Sequence, residues 1–154
     1  MMIRQAQLTD IPTLTALLQE ILTVHHEVRP DLFKETGQKF STQELEKLIE
    51  DPQQPIFVYE VEGEVVGHLF CKIVSQEHSV LQTVKTLFID DLCVKQGMRG
   101  KRIGQQLYEY ALAFAKEQNC YNVTLDVWSD NKEAVAFYQR LGLKQQKVRM
   151  ESIV

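Results

Sequence analysis

Among the 154 residues there is no apolar run near the roughly 18 residues that a membrane span needs. The chain also lacks a basic start followed by a short apolar stretch and a small-residue cleavage site, as a secretory leader would have. Cysteine is scarce: Cys71, Cys93 and Cys120 are odd in number and never spaced C-x-x-C, which excludes a disulfide framework and a zinc ribbon. An excess of positive charge is missing too. Lys and Arg total 17 against 21 Asp and Glu, and the net charge of −4 argues against a general nucleic-acid or anionic-membrane partner. No G-x-x-x-x-G-K-[ST] loop is present, and no G-x-G-x-x-G follows the first strand, so nucleoside-triphosphate and dinucleotide folds are disfavoured. There is no internal repeat, low-complexity tract or linker. The expectation is a soluble, cytoplasmic protein with no metal, forming a single domain over residues 1–154.

What is present suffices for a core, with 44% hydrophobic and 25% charged residues. Met2–Gln7 reads as a first strand, and Thr9-Asp10-Ile11-Pro12 as a helix start with proline in the first turn. Ile11, Leu14, Leu17, Leu18, Ile21 and Leu22 recur at helical spacing as far as about Val24. His25-His26 ends that pattern, and no period is visible up to Phe40. Ser41-Thr42-Gln43-Glu44 has the form of a capping box opening a short helix that stops near Asp51-Pro52. Ile56–Val61 and Glu64–Val74 flank Glu62-Gly63 as a hairpin. Val84–Val94 is a long apolar strand interrupted by Asp90-Asp91. A helix is predicted from Arg102 to about Gln118, a strand at Val123–Val127, a helix from Asn131 to Leu141 closed by Gly142, and a last strand at Lys144–Ile153. The order β-α-α-β-β-β-α-β-α-β makes an α/β or α+β domain with a mixed sheet.

The strongest local chemistry is the strand–loop–helix at Asp90–Gln106. A helix N-terminus offers unsatisfied N–H groups and a partial positive charge, so it attracts phosphate. Gly100 and Gly104 permit close approach of a ligand to the backbone, and Lys95, Arg99, Lys101 and Arg102 concentrate positive charge in an acidic chain. A plain helix entry with solvated cations has the same appearance. Further along, Asn131 is placed to cap a helix. Asp90 and Asp91 end an apolar strand, where burial and mutual repulsion would raise one pKa, and strand alternation would send one to each side of the sheet.

Asp90-Asp91-Leu92-Cys93-Val94 followed by Arg99-Gly100-Lys101-Arg102-Ile103-Gly104 resembles the acyl-CoA site of the GNAT acyltransferase superfamily, whose signature is Gln/Arg-x-x-Gly-x-Gly/Ala. The resemblance continues through Leu125-Asp126-Val127-Trp128-Ser129-Asp130-Asn131 and Ala134-x-x-Phe137-Tyr138-x-x-x-Gly142. Two positions depart from it: Arg102 stands where the signature most often has glycine, which suits a place in the first helical turn, and Leu143 replaces an aromatic residue. The resemblance implies a mostly antiparallel sheet with helices on both faces, and an N-acetyltransferase using acetyl-CoA as co-substrate on a primary amine of a small molecule or protein, by direct attack in a ternary complex. It implies that Leu92, Cys93 and Val94 offer backbone to the pantetheine arm, and that the amides of Met98, Arg99, Gly100, Lys101, Arg102, Ile103 and Gly104 meet the diphosphate. Asn131 and Phe137 belong to the same cofactor-binding stretch. Asp90, foremost, or Asp91 would serve as base, and Tyr138, with an ordinary pKa near 10, would protonate the leaving thiolate. His25 and His26 fall in the region that shapes the acceptor pocket in similar enzymes. Homodimers are common among them, with Val148–Val154 as a candidate interface strand. A non-catalytic acyl-CoA sensor and an unrelated nucleotide-binding α/β protein are the alternatives. Trp128 either lines the cleft or covers the core; His68 and His78 have nothing in the sequence to single them out.

Overall fold

The first strand, β1 (Met2–Gln5), is tied to the helix that follows by charge as well as by connectivity. The Arg4 guanidinium donates to both Asp10 carboxylate oxygens at 2.8 and 3.0 Å and to Glu60 at 3.0 Å, and the Gln7 amide donates to Asp10 at 2.7 Å. A single 3-10 turn (Leu8–Asp10) then leads into α1 (Ile11–Val28), with proline in its first turn as the sequence indicates. These features belong to a computed structural model that describes residues 2–154.

Helix α1 runs one turn beyond its apolar pattern, through His25 and His26 to Val28. The extra turn is held from the side, because the His25 ring stacks on Phe33 (centroids 4.9 Å apart) and Phe33 belongs to the irregular stretch that follows. Helix α2 (Thr42–Glu50) opens on the expected capping box: Ser41 Oγ accepts from the Glu44 amide at 3.1 Å, and Glu44 accepts from the Ser41 amide at 3.0 Å.

β2 (Ile56–Val61) and β3 (Glu64–Ser75) form an antiparallel hairpin through Glu62-Gly63, whose φ values of 50° and 80° are those of a two-residue turn matched to strand twist. β4 (Lys85–Val94) pairs antiparallel with β3. Helix α3 (Ile103–Glu117) returns the chain to β5 (Asn122–Leu125), which lies parallel to β4, and α4 (Lys132–Arg140) follows. The sheet order is β1-β2-β3-β4-β5. One face packs α3 through Leu69, Leu87, Ile103, Leu107 and Ala111; the other packs α1 and α2 through Leu14, Leu17, Leu45, Val58 and Phe70. The architecture is thus mixed α/β, mostly antiparallel, with helices on both faces.

Three departures from the sequence reading matter. No strand forms at Lys144–Ile153, so the described residues give five strands rather than six. Val148 and Met150 are 67% and 88% exposed; alternating apolar residues hold a strand on a sheet only if one face finds cover. Helix α3 begins at Ile103, and Arg102 is its N-cap with φ 61°, a left-handed conformation rather than the first helical turn. Asp90 and Asp91, finally, do not point to opposite faces. Phe70 faces Asp91 and Cys71 faces Ile89, leaving Asp90 as the extra residue of a β-bulge. Leu87 and Ile89 before the bulge, and Leu92 and Val94 after it, all pack against the α3 side.

Candidate active site

The pairing of β4 with β5 stops at Ile89 opposite Leu125, yet β4 continues to Val94. Beyond that point the two parallel strands part, and β4 from Asp90 onward has no neighbour on that side. A cleft of about 690 Å³ opens at the parting. Its floor is the bulged stretch of β4 and its walls come from α1, the irregular 29–41 stretch, the residues after β5, and α4.

Both Asp90 and Asp91 line this cleft, as do Leu92, Asn131, Tyr138 and His25. Trp128 lines it too, edge-on to Phe33 at 5.5 Å, with the Arg29 guanidinium 5.5 Å above its ring. Asp90 accepts from the Lys39 ammonium at 3.1 Å. Asp91 is tied to His68, Oδ2 to Nε2 at 2.8 Å, and its side chain is only 9% exposed. Burial pushes the Asp91 carboxyl up, but the His68 hydrogen bond and the nearby Lys39 and His25 outweigh it and hold the group below the ordinary carboxylate range. The mutual repulsion expected from sequence is therefore answered by separate partners. His25 is pushed down by burial, with Asp91 opposing and Lys39 adding to that effect.

Tyr138 does not keep its ordinary pKa: burial, then the charges of Asp91 and Cys93, push it upward. Its hydroxyl is a permanent donor at neutral pH. Asn131 caps α4, its Oδ1 accepting from the Ala134 amide at 3.1 Å. Gly142, φ 97°, ends that helix, with the Leu143 amide reaching back to the Tyr138 carbonyl at 3.1 Å.

The other sequence-nominated residues lie elsewhere. The Cys93 side chain is buried on the α1 face, where its Sγ meets the Leu17 carbonyl at 3.6 Å; burial pushes this thiol up to about 12, so it is no nucleophile. Val94 and Ile103 pack into the α3 side. Phe137 sits against Gly104, its ring tip 3.1 Å from where a Cβ would stand, so a side chain there would have to displace the ring slightly. His26 fastens the irregular stretch through Nδ1 to the Phe33 carbonyl at 2.8 Å and does not line the cleft.

The loop between β4 and α3 adjoins the cleft along the chain. The Met98 amide is spent on the Lys95 carbonyl at 3.0 Å, and Lys95 itself is paired with Glu64. From Arg99 to Gln105 no amide meets a backbone carbonyl outside the helix, among the described residues. Gly97, Gly100 and Arg102 are all left-handed, and neither glycine has an atom within 4 Å of where a Cβ would stand. Arg99, Lys101 and Arg102 have no carboxylate within ion-pair distance among the described residues. Free amides, unpaired cations and open space suit a phosphorylated group. No three His, Cys, Asp or Glu side chains cluster as a metal ion would require, among the described residues.

Three cleft residues and one residue behind the cleft escaped the sequence reading. Lys39, Phe33 and Phe40 come from a stretch without period, and His68 meets Asp91 only through the β3–β4 register, so none carries a local signal.

Comparison with known proteins bears on the family and the fold. The model of the acetyltransferase (GNAT) family matches residues 18–143. An uncharacterized N-acetyltransferase of Methanocaldococcus jannaschii is 32% identical over 104 residues, 66% of this chain and 44% of that protein; the match thus spans less than half the relative's length. The crystal structure of a point mutant of a Bacillus halodurans protein superposes with a TM-score of 0.95 at 26% identity, covering 100% and 99% of the two chains. An aminoglycoside N-acetyltransferase solved in complex with CoA shares the fold, with a TM-score of 0.75 at 14% identity over 99% of this chain and 98% of that one.

Proposed function

The chain belongs to the acetyltransferase (GNAT) family, and from that premise we propose that it transfers an acetyl group from acetyl-CoA to a primary amine of a small molecule or protein. The observation that carries the reading is the parting of β4 from β5, which sets free strand edge, a loop of free amides and a cleft with carboxylates and a tyrosine side by side. Acetyl-CoA supplies an activated thioester, which an uncharged amine attacks as the thiolate departs.

The residues divide the work. The backbone of Leu92, Cys93 and Val94, unpaired by β5, receives the amide-bearing pantetheine arm, as an added strand would. Amides from Arg99 to Gly104 face the diphosphate, with Arg99, Lys101 and Arg102 supplying charge; Met98, its amide engaged, shapes the turn. Asn131 and Phe137 set the entry of α4 beside this arm. Tyr138 donates a hydrogen bond to the leaving sulfur. An amine with a pKa near 10 is mostly protonated at neutral pH, so one of Asp90 and Asp91, directly or through water, takes its proton. His25, with its ring on the cleft wall, contacts the acceptor, and His26 acts only through the wall it fastens. The Cys93 thiol, inert and buried against α1 outside the cleft lining, supports direct attack rather than an acyl-enzyme. We further propose a single domain over residues 1–154, working in the cytoplasm, where its three free cysteines would stay reduced, and pairing as a homodimer.

Calorimetric titration with acetyl-CoA, coenzyme A, ATP and NAD tests the reading, followed by an amine panel with Asp90→Asn, Asp91→Asn and Tyr138→Phe. Binding confined to the coenzyme A compounds, with turnover impaired in the variants, is expected. Tight binding with no turnover of any amine would make the chain a sensor of acyl-CoA; competition by ATP or NAD alone would overturn both.

A further inference from the structure

His68 is 0% exposed, in the middle of β3, and is the most deeply buried polar side chain of the molecule. A polar side chain with no access to water persists only where its hydrogen bonds are made or a function holds it there. One ring nitrogen, Nε2, meets Asp91 Oδ2 at 2.8 Å; the other, Nδ1, is buried with no partner. The ring stands edge-on to Phe70 at 4.8 Å, and Phe70 stacks on Phe40 at 5.8 Å, so aromatic rings wall the imidazole in. The only arrangement that leaves no buried N–H without an acceptor places the ring hydrogen on Nε2, donating to the carboxylate.

Asp91 is thereby held by one oxygen, and its other oxygen is left to the cleft that the residue lines. Its neighbour Asp90 is differently placed: it is the extra residue of the bulge, 19% exposed, with a carboxylate oxygen taken by Lys39. Each acid thus has one oxygen engaged, but Asp90 is held by a lysine side chain 46% exposed and Asp91 by a fully buried imidazole, so Asp91 is the more firmly fixed of the two.

We propose that His68 is a positioning residue of the transfer reaction: it fixes Asp91 so that the free carboxylate oxygen receives the N–H of the acceptor amine. This rests on the acetyl-transfer reading above and narrows its two candidate acids to one. The charged and titratable groups that face Asp91 are His68 from β3, Lys39 from the 29–41 stretch, His25 from α1, Asp90 and Cys93 on β4 itself, and Tyr138 from α4. With His68 in place Asp91 lies below the ordinary carboxylate range; without it burial acts with less opposition and the group rises. Losing His68 therefore moves protonation of Asp91 toward neutral pH, and the acid limb of activity moves upward with it.

The test compares the parent with His68→Leu, His68→Asn and His68→Gln, reading coenzyme A binding and the pH dependence of kcat/KM for the best acceptor amine. His68→Leu is expected to bind coenzyme A as the parent does, to lose about tenfold or more in kcat/KM at neutral pH, and to show an acid limb displaced upward by about one pH unit. An amide side chain restores a donor, so one of the other two variants is expected to recover much of both effects. An unmoved acid limb in a folded His68→Leu protein overturns the proposal, as does failure of both amide variants to rescue. If His68→Leu does not fold, His68→Gln is placed in the Asp91→Asn background: a residue acting only through Asp91 adds no further loss there, and an additive loss overturns it. The ¹⁵N shifts of the imidazole need no substrate at all. A hydrogen on Nε2 is expected, and a hydrogen on Nδ1 refutes the assigned geometry. Failure of the acetyl-transfer reading looks different, since the parent itself would then bind no coenzyme A.

Discussion

Arg102 occupies a left-handed backbone, φ 61°, at the position where the related signature most often carries glycine. A side chain there costs on the order of 1–2 kcal/mol against a right-handed residue, partly offset because glycine loses more entropy on folding. Arg102→Gly is therefore expected to stabilise the protein by about 0.5–1 kcal/mol in urea denaturation while weakening coenzyme A binding through the lost charge. The residue was legible as an oddity in the sequence, but its conformation was not, because a signature position records a backbone requirement that Arg102 meets against its own preference. His68 was illegible altogether: β3 is buried on both faces over a continuous run, which singles out no position, and only the pairing register reveals what His68 touches. Tyr138 was legible through its surrounding stretch, yet its upward pKa depends on burial that no local pattern shows. Tyr138→Phe, which removes the hydroxyl and little volume, is expected to lower kcat about 10- to 100-fold in steady-state assays with coenzyme A affinity unchanged.

At the scale of elements, nine strands and helices were legible, the long helices through the repeat of their buried face and the rest through caps, turns and apolar runs. Such patterning missed the last turn of α1, where a histidine supplies the buried surface, and it proposed a strand at Lys144–Ile153 that has no cover. It could not show that Asp90 is a bulge, since one inserted residue leaves no trace in composition. That insertion lets two acids face the cleft while Leu87 and Ile89 on one side of it, and Leu92 and Val94 on the other, keep to the same core. The packing of α3 on the sheet depends on Gly67, where an added Cβ would lie 3.1 Å from the Cys93 carbonyl and 3.3 Å from Leu107 Cδ1. Neither backbone nor a fully buried leucine yields easily, so Gly67→Ala is expected to cost about 1–3 kcal/mol, read from the urea midpoint at unchanged slope.

The molecule as a whole joins two cores across one sheet, and its ends are secured by charge where apolar cover is thin. The Arg4 guanidinium holds Asp10, with help from the Gln7 amide, well below the ordinary carboxylate range even though burial opposes this. A carboxylate depressed in the folded state adds stability that is present above its unfolded pKa, about 4, and is lost as pH falls through the folded value. Asp10→Asn is thus expected to cost about 1–2 kcal/mol at pH 7, and the gap to the parent should narrow steadily below pH 4 when both are followed by thermal or urea unfolding. A gap independent of pH would mean that Asp10 acts through packing alone.

The parting of β4 and β5 has a consequence for solubility. Unpaired strand edge invites other chains to add on and seed aggregates. In this sheet the outermost strands, β1 and β5, are only four residues each and offer little template. The longer free edge, on β4 from Asp90 to Val94, is recessed between two strands of one sheet rather than at its rim. A slender amide-bearing chain can enter such a notch, whereas another protein's strand would have to bring its flanking strands along and collide with β5. Colloidal safety and access for a thin ligand therefore come from one and the same gap.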